Sequence, residues 1–177
     1  MPDFSALFIE SKGQPVNYKG NPIALADKFP VTNGDKIIVS IEDTNSDKVQ
    51  GVSVDITGSC EINKKEFKKG KGVKMIFWED SELIDPKNIE ITIFTKTGFV
   101  WIQNIWEEAN SYLMKTSSGE TIEKKSKSTE SGHNGAAMIV EEIVNGRRYR
   151  CNDGYPDEDF DDIVFTVKKV ITKKSKS

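Results

Sequence analysis

Val140-Glu141-Glu142-Ile143-Val144-Asn145-Gly146-Arg147-Arg148-Tyr149-Arg150-Cys151 reads as a β-hairpin. An Asn-Gly pair between two runs of strand character is a strong hairpin signal, because tight turns need residues that tolerate positive φ. Residues 140–144 and 147–151 would be the arms. Working outward, residues 49–56 alternate, with Val52, Val54 and Ile56 on one face and Ser53 and Asp55 on the other. Residues 4–9, 36–41, 73–78, 89–95, 99–105, 136–144 and 163–171 are further apolar, strand-like runs. Turn residues punctuate them, among them Thr32-Asn33-Gly34-Asp35, Lys69-Gly70 and Thr97-Gly98. Residues 106–114 read either as a short helix or as a continuation of the preceding strand, and continuation is favoured. Many short strands at regular spacing predict an all-β chain, folded as an antiparallel β-sandwich.

One domain over residues 1–171 accommodates these strands, and the length of 177 residues is too short for two large domains. Residues 172–177 form a polar, basic tail, expected to be disordered. In residues 116–132 only Ile122 is apolar, so this stretch is either a long mobile loop or a solvated hairpin tip. No internal repeat is visible.

The formal net charge of -3 implies no bulk attraction to nucleic acid. Lysines gather at 64–74, 124–127 and 168–176, but no aromatic-interleaved RNA motif or helix-turn-helix pattern accompanies them, so they read as solvated faces. Cys60 and Cys151 lack CxxC spacing and a neighbouring ligand for zinc; they form either one disulfide or two buried free thiols. Met1-Pro2-Asp3-Phe4-Ser5 lacks the basic and apolar regions of a secretory signal. No apolar run reaches the length of a membrane helix. The expectation is a cytoplasmic protein, or one released by a non-classical route.

Beyond the hairpin comes Asn152-Asp153-Gly154-Tyr155-Pro156-Asp157-Glu158-Asp159-Phe160-Asp161-Asp162, which leads into the strand-like Ile163-Val164-Phe165-Thr166-Val167. Six of the ten residues from Asp153 to Asp162 are acidic. Two carboxylates about 4 Å apart repel by roughly 4 kcal/mol at an effective dielectric near 20. Several in one turn call for a cation, and oxygen-only ligands suit Ca2+, which accepts six to eight of them in flexible geometry. In an extended chain Asp157, Asp159 and Asp161 share one side, with Glu158 and Phe160 on the other. Phe160 would then anchor the loop in the core while the aspartates gather round the ion. The spacing is not that of an EF-hand, because Asp162 and Lys168 stand where that motif needs Gly and Glu, and a strand follows.

The string Asp-x-Asp-Phe-Asp-Asp before an apolar strand resembles the calcium loop of the bacterial fucose/mannose-binding lectins, the two-calcium soluble lectins of the Pseudomonas type. It is also similar to a motif in bacterial calcium-binding β-sandwich domains of unassigned role. The resemblance covers about a tenth of the chain. It implies that Asp157, Asp159, Asp161 and Asp162 hold calcium, with Asp153 or Asn152 standing for the upstream acidic ligand. It further implies that sugar hydroxyls complete the coordination. Those lectins end on a glycine whose carboxylate joins a neighbour's sugar site, whereas here the sequence continues through residues 168–177.

Other candidates are fewer. His133 is the only histidine, so no triad or zinc cluster can use two imidazoles; it reads as a turn residue. Asn134 offers a side-chain carbonyl to calcium or to a sugar hydroxyl. Tyr155 is the candidate stacking face for a sugar ring, and of Trp78, Trp101 and Trp106 at least one is expected in the core. No GxSxG, P-loop or GxGxxG string occurs, and the chain is not expected to be an enzyme. The sequence reading is therefore a β-sandwich with a calcium-binding loop before its last strand, acting as a calcium-dependent carbohydrate-binding module. The alternative is a domain in which calcium only stiffens the loop, and which pairs with protein partners or with itself as a homo-oligomer.

Overall fold

The computed structural model describes residues 4–62, 65–67, 72–132, 135–154 and 159–171. The chain opens with a helix, α1 (Phe4–Glu10), followed by β1 (Val16–Tyr18), β2 (Asn21–Ala24), β3 (Asp27–Pro30), β4 (Lys36–Thr44) and β5 (Gln50–Ile56). Next come β6 (Gly58–Ile62), β7 (Lys65–Phe67), β8 (Val73–Trp78), β9 (Ile89–Thr95) and the long β10 (Phe99–Lys115). The last strands are β11 (Thr121–Glu130), β12 (Ala137–Ile143), β13 (Gly146–Asn152) and β14 (Ile163–Lys169). A nine-stranded sheet runs β1-β2-β12-β13-β14-β4-β9-β6-β7, and a second sheet runs β11-β10-β5-β8 with β3 also on β10. The pairings in both sheets are antiparallel.

Alternation explains how the sheets meet. Val52, Val54 and Ile56 of β5 and Val100 and Ile102 of β10 turn inward from the smaller sheet. Ile37, Val39 and Ile41 of β4, Ile89, Ile91 and Ile93 of β9, and Phe165 and Val167 of β14 face them from the larger one. All belong to one buried cluster, so the chain is an all-β fold of two antiparallel sheets packed together in a sandwich-like arrangement. Cys60 and Cys151 are both buried free thiols. Among the described residues no helix is long and apolar enough to cross a membrane.

Two local readings change, and an open one is decided. Residues 4–9, read as a strand-like run, lie in α1 instead. Phe4, Leu7 and Phe8 fall at helical spacing, and burying them over Ile23, Ala137 and Phe160 overrides the short run's strand character. The hairpin turn lies one residue earlier than the Asn-Gly pair suggests. Ile143 pairs with Gly146, which leaves Val144 and Asn145 as the loop, with Asn145 at φ 63. Gly146 is a strand residue, required because a Cβ there would meet the Val167 carbonyl oxygen at 2.0 Å. The ambiguous stretch 116–132 is largely ordered as β11, paired along β10 from Trp106 to Lys115, so residues 106–114 do continue the strand.

A buried polar cluster ties β3 to β13. The Tyr149 hydroxyl donates to Asp27 Oδ2 at 2.5 Å, and Arg147 Nη1 donates to the same oxygen at 2.8 Å. The Tyr149 ring stacks on Phe165 at 4.9 Å between centroids. Burial first, then the neighbouring Asp27 charge, pushes the Tyr149 hydroxyl far above its usual range. Tyr149→Phe keeps the stack and removes one donor from a buried carboxylate. It is expected to cost about 1.5–3 kcal/mol of unfolding free energy, measured by urea denaturation with an unchanged m-value.

Candidate acidic site

At one end of the sandwich the inward-facing rows change from apolar to polar. On β10 the inward series Val100, Ile102 continues as Asn104 and Trp106. Trp106 pairs across the sheet with Gln50, which extends the inward row Val52, Val54, Ile56 of β5. Beyond β8, the Glu79 N–H donates to the Gln50 carbonyl at 2.9 Å, which places Gln50 and Glu79 opposite one another. Trp106, Gln50 and Glu79 therefore form one cross-strand row beneath the loop that joins β13 to β14.

That loop is fastened at both ends. Asn104 Nδ2 donates to the Asn152 carbonyl at 2.9 Å, and Asn152 Oδ1 accepts the Phe160 N–H at 3.0 Å. Phe160 has φ 50 and is only 4% exposed, with its ring edge-on to Phe4 at 5.4 Å. A phenylalanine in the left-handed region is held against a local preference of about 1–2 kcal/mol; burial of the ring and the Asn152 hydrogen bond outweigh it. Phe160 is thus the anchor the sequence suggests, although its backbone is left-handed and not extended.

The carboxylates divide by position. Asp153 is 3% exposed and Asp162 is 7% exposed. Asp153 Oδ2 accepts Ser46 Oγ at 2.7 Å and Gln50 Nε2 at 3.3 Å. Asp162 Oδ2 accepts the Asp153 N–H at 2.8 Å, and the Asp162 N–H donates to the Cys151 carbonyl at 3.0 Å. Asp161 is half-buried and accepts Asn45 Nδ2 at 2.8 Å, while Asp159 is exposed. Asp157, Tyr155 and Asn134, together with His133, lie outside the described residues.

The charge opposing these acids comes from Lys48. Its Nζ lies 2.7 Å from Glu108 Oε1, which also accepts Trp106 Nε1 at 2.8 Å. Burial disfavours the ammonium, but the Glu108 hydrogen bond and the fields of Asp153, Glu108 and Asp162 outweigh that and hold its pKa above the ordinary value. Burial, and then the Asp162 charge, raises the Cys151 thiol. Two acceptor oxygens, Gln50 Oε1 and Glu79 Oε2, are buried without a hydrogen-bond partner. Among the described residues, no three acidic, histidine or cysteine side chains converge in a metal-holding group.

Asp153 and Asp162 are joined by a hydrogen bond beside Asn152, Asp161 is turned to Asn45, and Asp159 is exposed on the same loop. Sequence reasoning missed Asn45, Ser46, Lys48, Gln50 and Glu108, which approach from the β4–β5 connection, the start of β5 and β10. The available signal was Asn104 and Gln50, polar residues on otherwise apolar faces. No known protein family, curated protein or solved structure matches the chain.

Asn152→Ala deprives the buried Phe160 N–H of its acceptor. The expected loss is about 1–3 kcal/mol of stability, read by urea denaturation. Proteolysis within residues 153–162 should become faster than in the wild-type chain.

Proposed function

We propose that this chain is a calcium-binding β-sandwich acting as a binding module and not as a catalyst, in which the ion closes the loop 152–162. The observation that carries this reading is the surplus of acceptors at the acidic end. Asp153 and Asp162 are buried carboxylates, and Gln50 Oε1 and Glu79 Oε2 are buried oxygens without donors. Buried oxygens left without donors, next to buried carboxylates, would be stabilised by a hard cation. Asp153, Asp157, Asp159, Asp161 and Asp162 would supply its carboxylates.

The geometry favours a structural role for the ion. The Asp153 carboxylate ties Ser46 of the β4–β5 connection to the loop, and Asp162 is buried beside it, so neutralising them strengthens that join. A second reading, calcium-dependent carbohydrate binding, is favoured by the exposed position of Asp159 and by the resemblance to the lectin loop. An ion held on that outer side would keep coordination positions for a pair of vicinal sugar hydroxyls.

Thermal melting in millimolar calcium against EDTA tests the common premise. Calcium at about 100 times its dissociation constant should add about 2.7 kcal/mol, or roughly 5–10 °C for a chain of this size. Asp159→Asn with Asp161→Asn should abolish most of that shift while leaving the EDTA melting point nearly unchanged. Lys48→Met, which removes a competing positive charge, should tighten calcium binding. An unchanged midpoint in calcium rejects the proposal. A glycan array with and without EDTA separates the two roles, and calcium-dependent signals there support the carbohydrate reading.

A further inference from the structure

β10 is far longer than the strand it borders. Its partner β5 covers it only from Trp101 to Trp106, and the Glu107 N–H takes the last bond on that side, to the Val49 carbonyl at 3.0 Å. On its other side β11 follows β10 to Lys115. Residues 107–115 and their β11 partners thus leave the sandwich as a two-stranded ribbon, about 30 Å long at the usual rise per residue. Among the described residues, no strand pairs with β10 along residues 109–115 on the side away from β11.

Which backbone groups face that open edge follows from strand geometry. Glu107 directs its N–H toward β5, while Thr116 directs its N–H toward the β11 side, to the Glu120 carbonyl at 2.8 Å. Alternation between these two fixed points turns the N–H and C=O of Ala109, Ser111, Leu113 and Lys115 toward the open edge. An isolated two-stranded ribbon is marginal in water, and three or more strands are needed for independent stability.

The two edges of the ribbon differ in character. β11 carries Lys124, Lys125 and Lys127, the kind of charge that keeps an edge from pairing. The β10 edge, Ala109-Asn110-Ser111-Tyr112-Leu113-Met114, has no charge, no proline and no glycine. Tyr112, Leu113 and Met114 are 52, 75 and 42% exposed. An uncharged open edge that exposes Tyr112, Leu113 and Met114 is a template for another strand.

We propose that this edge pairs with the same edge of a second copy, antiparallel, about a two-fold axis at Tyr112. In that register Ser111 faces the second copy's Leu113 as a hydrogen-bonded pair, and Ala109 faces Lys115. Tyr112 meets Tyr112 as a close, non-hydrogen-bonded pair, with Met114 diagonal to it on the same face. Each Lys115 lies diagonal to the other copy's Glu107, so the only charges along the contact are of opposite sign. The result is a four-stranded ribbon, β11-β10-β10-β11, closed by two-fold symmetry and bordered by lysine-bearing edges. A neutral, self-complementary edge with an acid at its root and a base at its tip fits a second copy of itself, since antiparallel pairing brings root to tip.

Analytical ultracentrifugation of the full chain at about 100 µM, in calcium and in EDTA, should give twice the 19.8 kDa of one chain. Ser111→Pro removes an N–H aimed at the open edge and none aimed at β11; it should raise the dimer dissociation constant at least about tenfold. S111K/L113K, which keeps every backbone donor but sets Lys against Lys, should be monomeric. S111E/L113K, which sets Glu against Lys, should be dimeric again. Circular dichroism should show the same strand content in all of them. A wild-type chain at monomer mass, a dimer indifferent to S111K/L113K, or a failure of S111E/L113K to restore it each overturns the proposal.

Discussion

The hydrogen bond from the Phe160 N–H to Asn152 Oδ1 is the contact on which the acidic end depends. It bridges the last residue of β13 and the turn just before β14, and so sets the path of everything between. Asn104 reaches the same Asn152 from the opposite sheet. One asparagine thereby joins two sheets and a loop, and it does so from a fully buried position. Phe160 completes the closure by accepting a left-handed backbone so that its ring can enter the small cluster under α1. The helix, which looks peripheral in the order of elements, is what gives that ring a place to go.

With the loop fastened in this way, Asp153 and Asp162 are held out of solvent. Asp153 is held inward by donors fixed to other elements, Ser46 and Gln50, and Asp162 by the Asp153 N–H within the loop. Negative charge buried there is unfavourable at low dielectric. Lys48 offsets part of it, and its raised pKa is the reciprocal sign of the same field. A group whose folded pKa is raised stabilises the fold fully below its unfolded pKa, here about 10.5, and loses that contribution as pH rises through the folded value. Lys48 therefore stays charged across the neutral range. Its partly exposed position keeps its net contribution small by solvent screening.

How much of this could be read from the sequence depends on the range of the interaction. Strands whose burial alternates residue by residue, such as β9, or whose sequence alternates apolar with polar, such as Val52 to Ile56 of β5, announce themselves locally. The acidic loop does too, because composition alone marks it. The helix α1 was hidden because a seven-residue apolar segment satisfies either periodicity, and only the pocket made by Ile23, Ala137 and Phe160 decides between them. The hairpin turn moved because Gly146 answers to the approach of Val167 across the sheet, a constraint no dipeptide preference contains. Ser46, Lys48 and Gln50 join the site through the pairing of β5 with β10, about a hundred residues away from Asp153 along the chain. Their placement is a product of register, and register is written in the whole sheet.

The same reasoning about register explains why β10 is so long. A strand stops where it no longer has neighbours to bury its faces or satisfy its backbone, and beyond Glu107 this one has only β11. The faces of the ribbon are largely exposed, so propensity and one ladder of hydrogen bonds are what the chain itself supplies there. Charge is unevenly distributed across that ribbon: lysines are placed on β11, while residues 109–114 of β10 carry none. If solubility alone governed the arm, both edges would carry charge, as exposed edges usually do. Sparing one edge and guarding the other is the pattern expected when a single, directed pairing is selected and open-ended association through the second edge is suppressed.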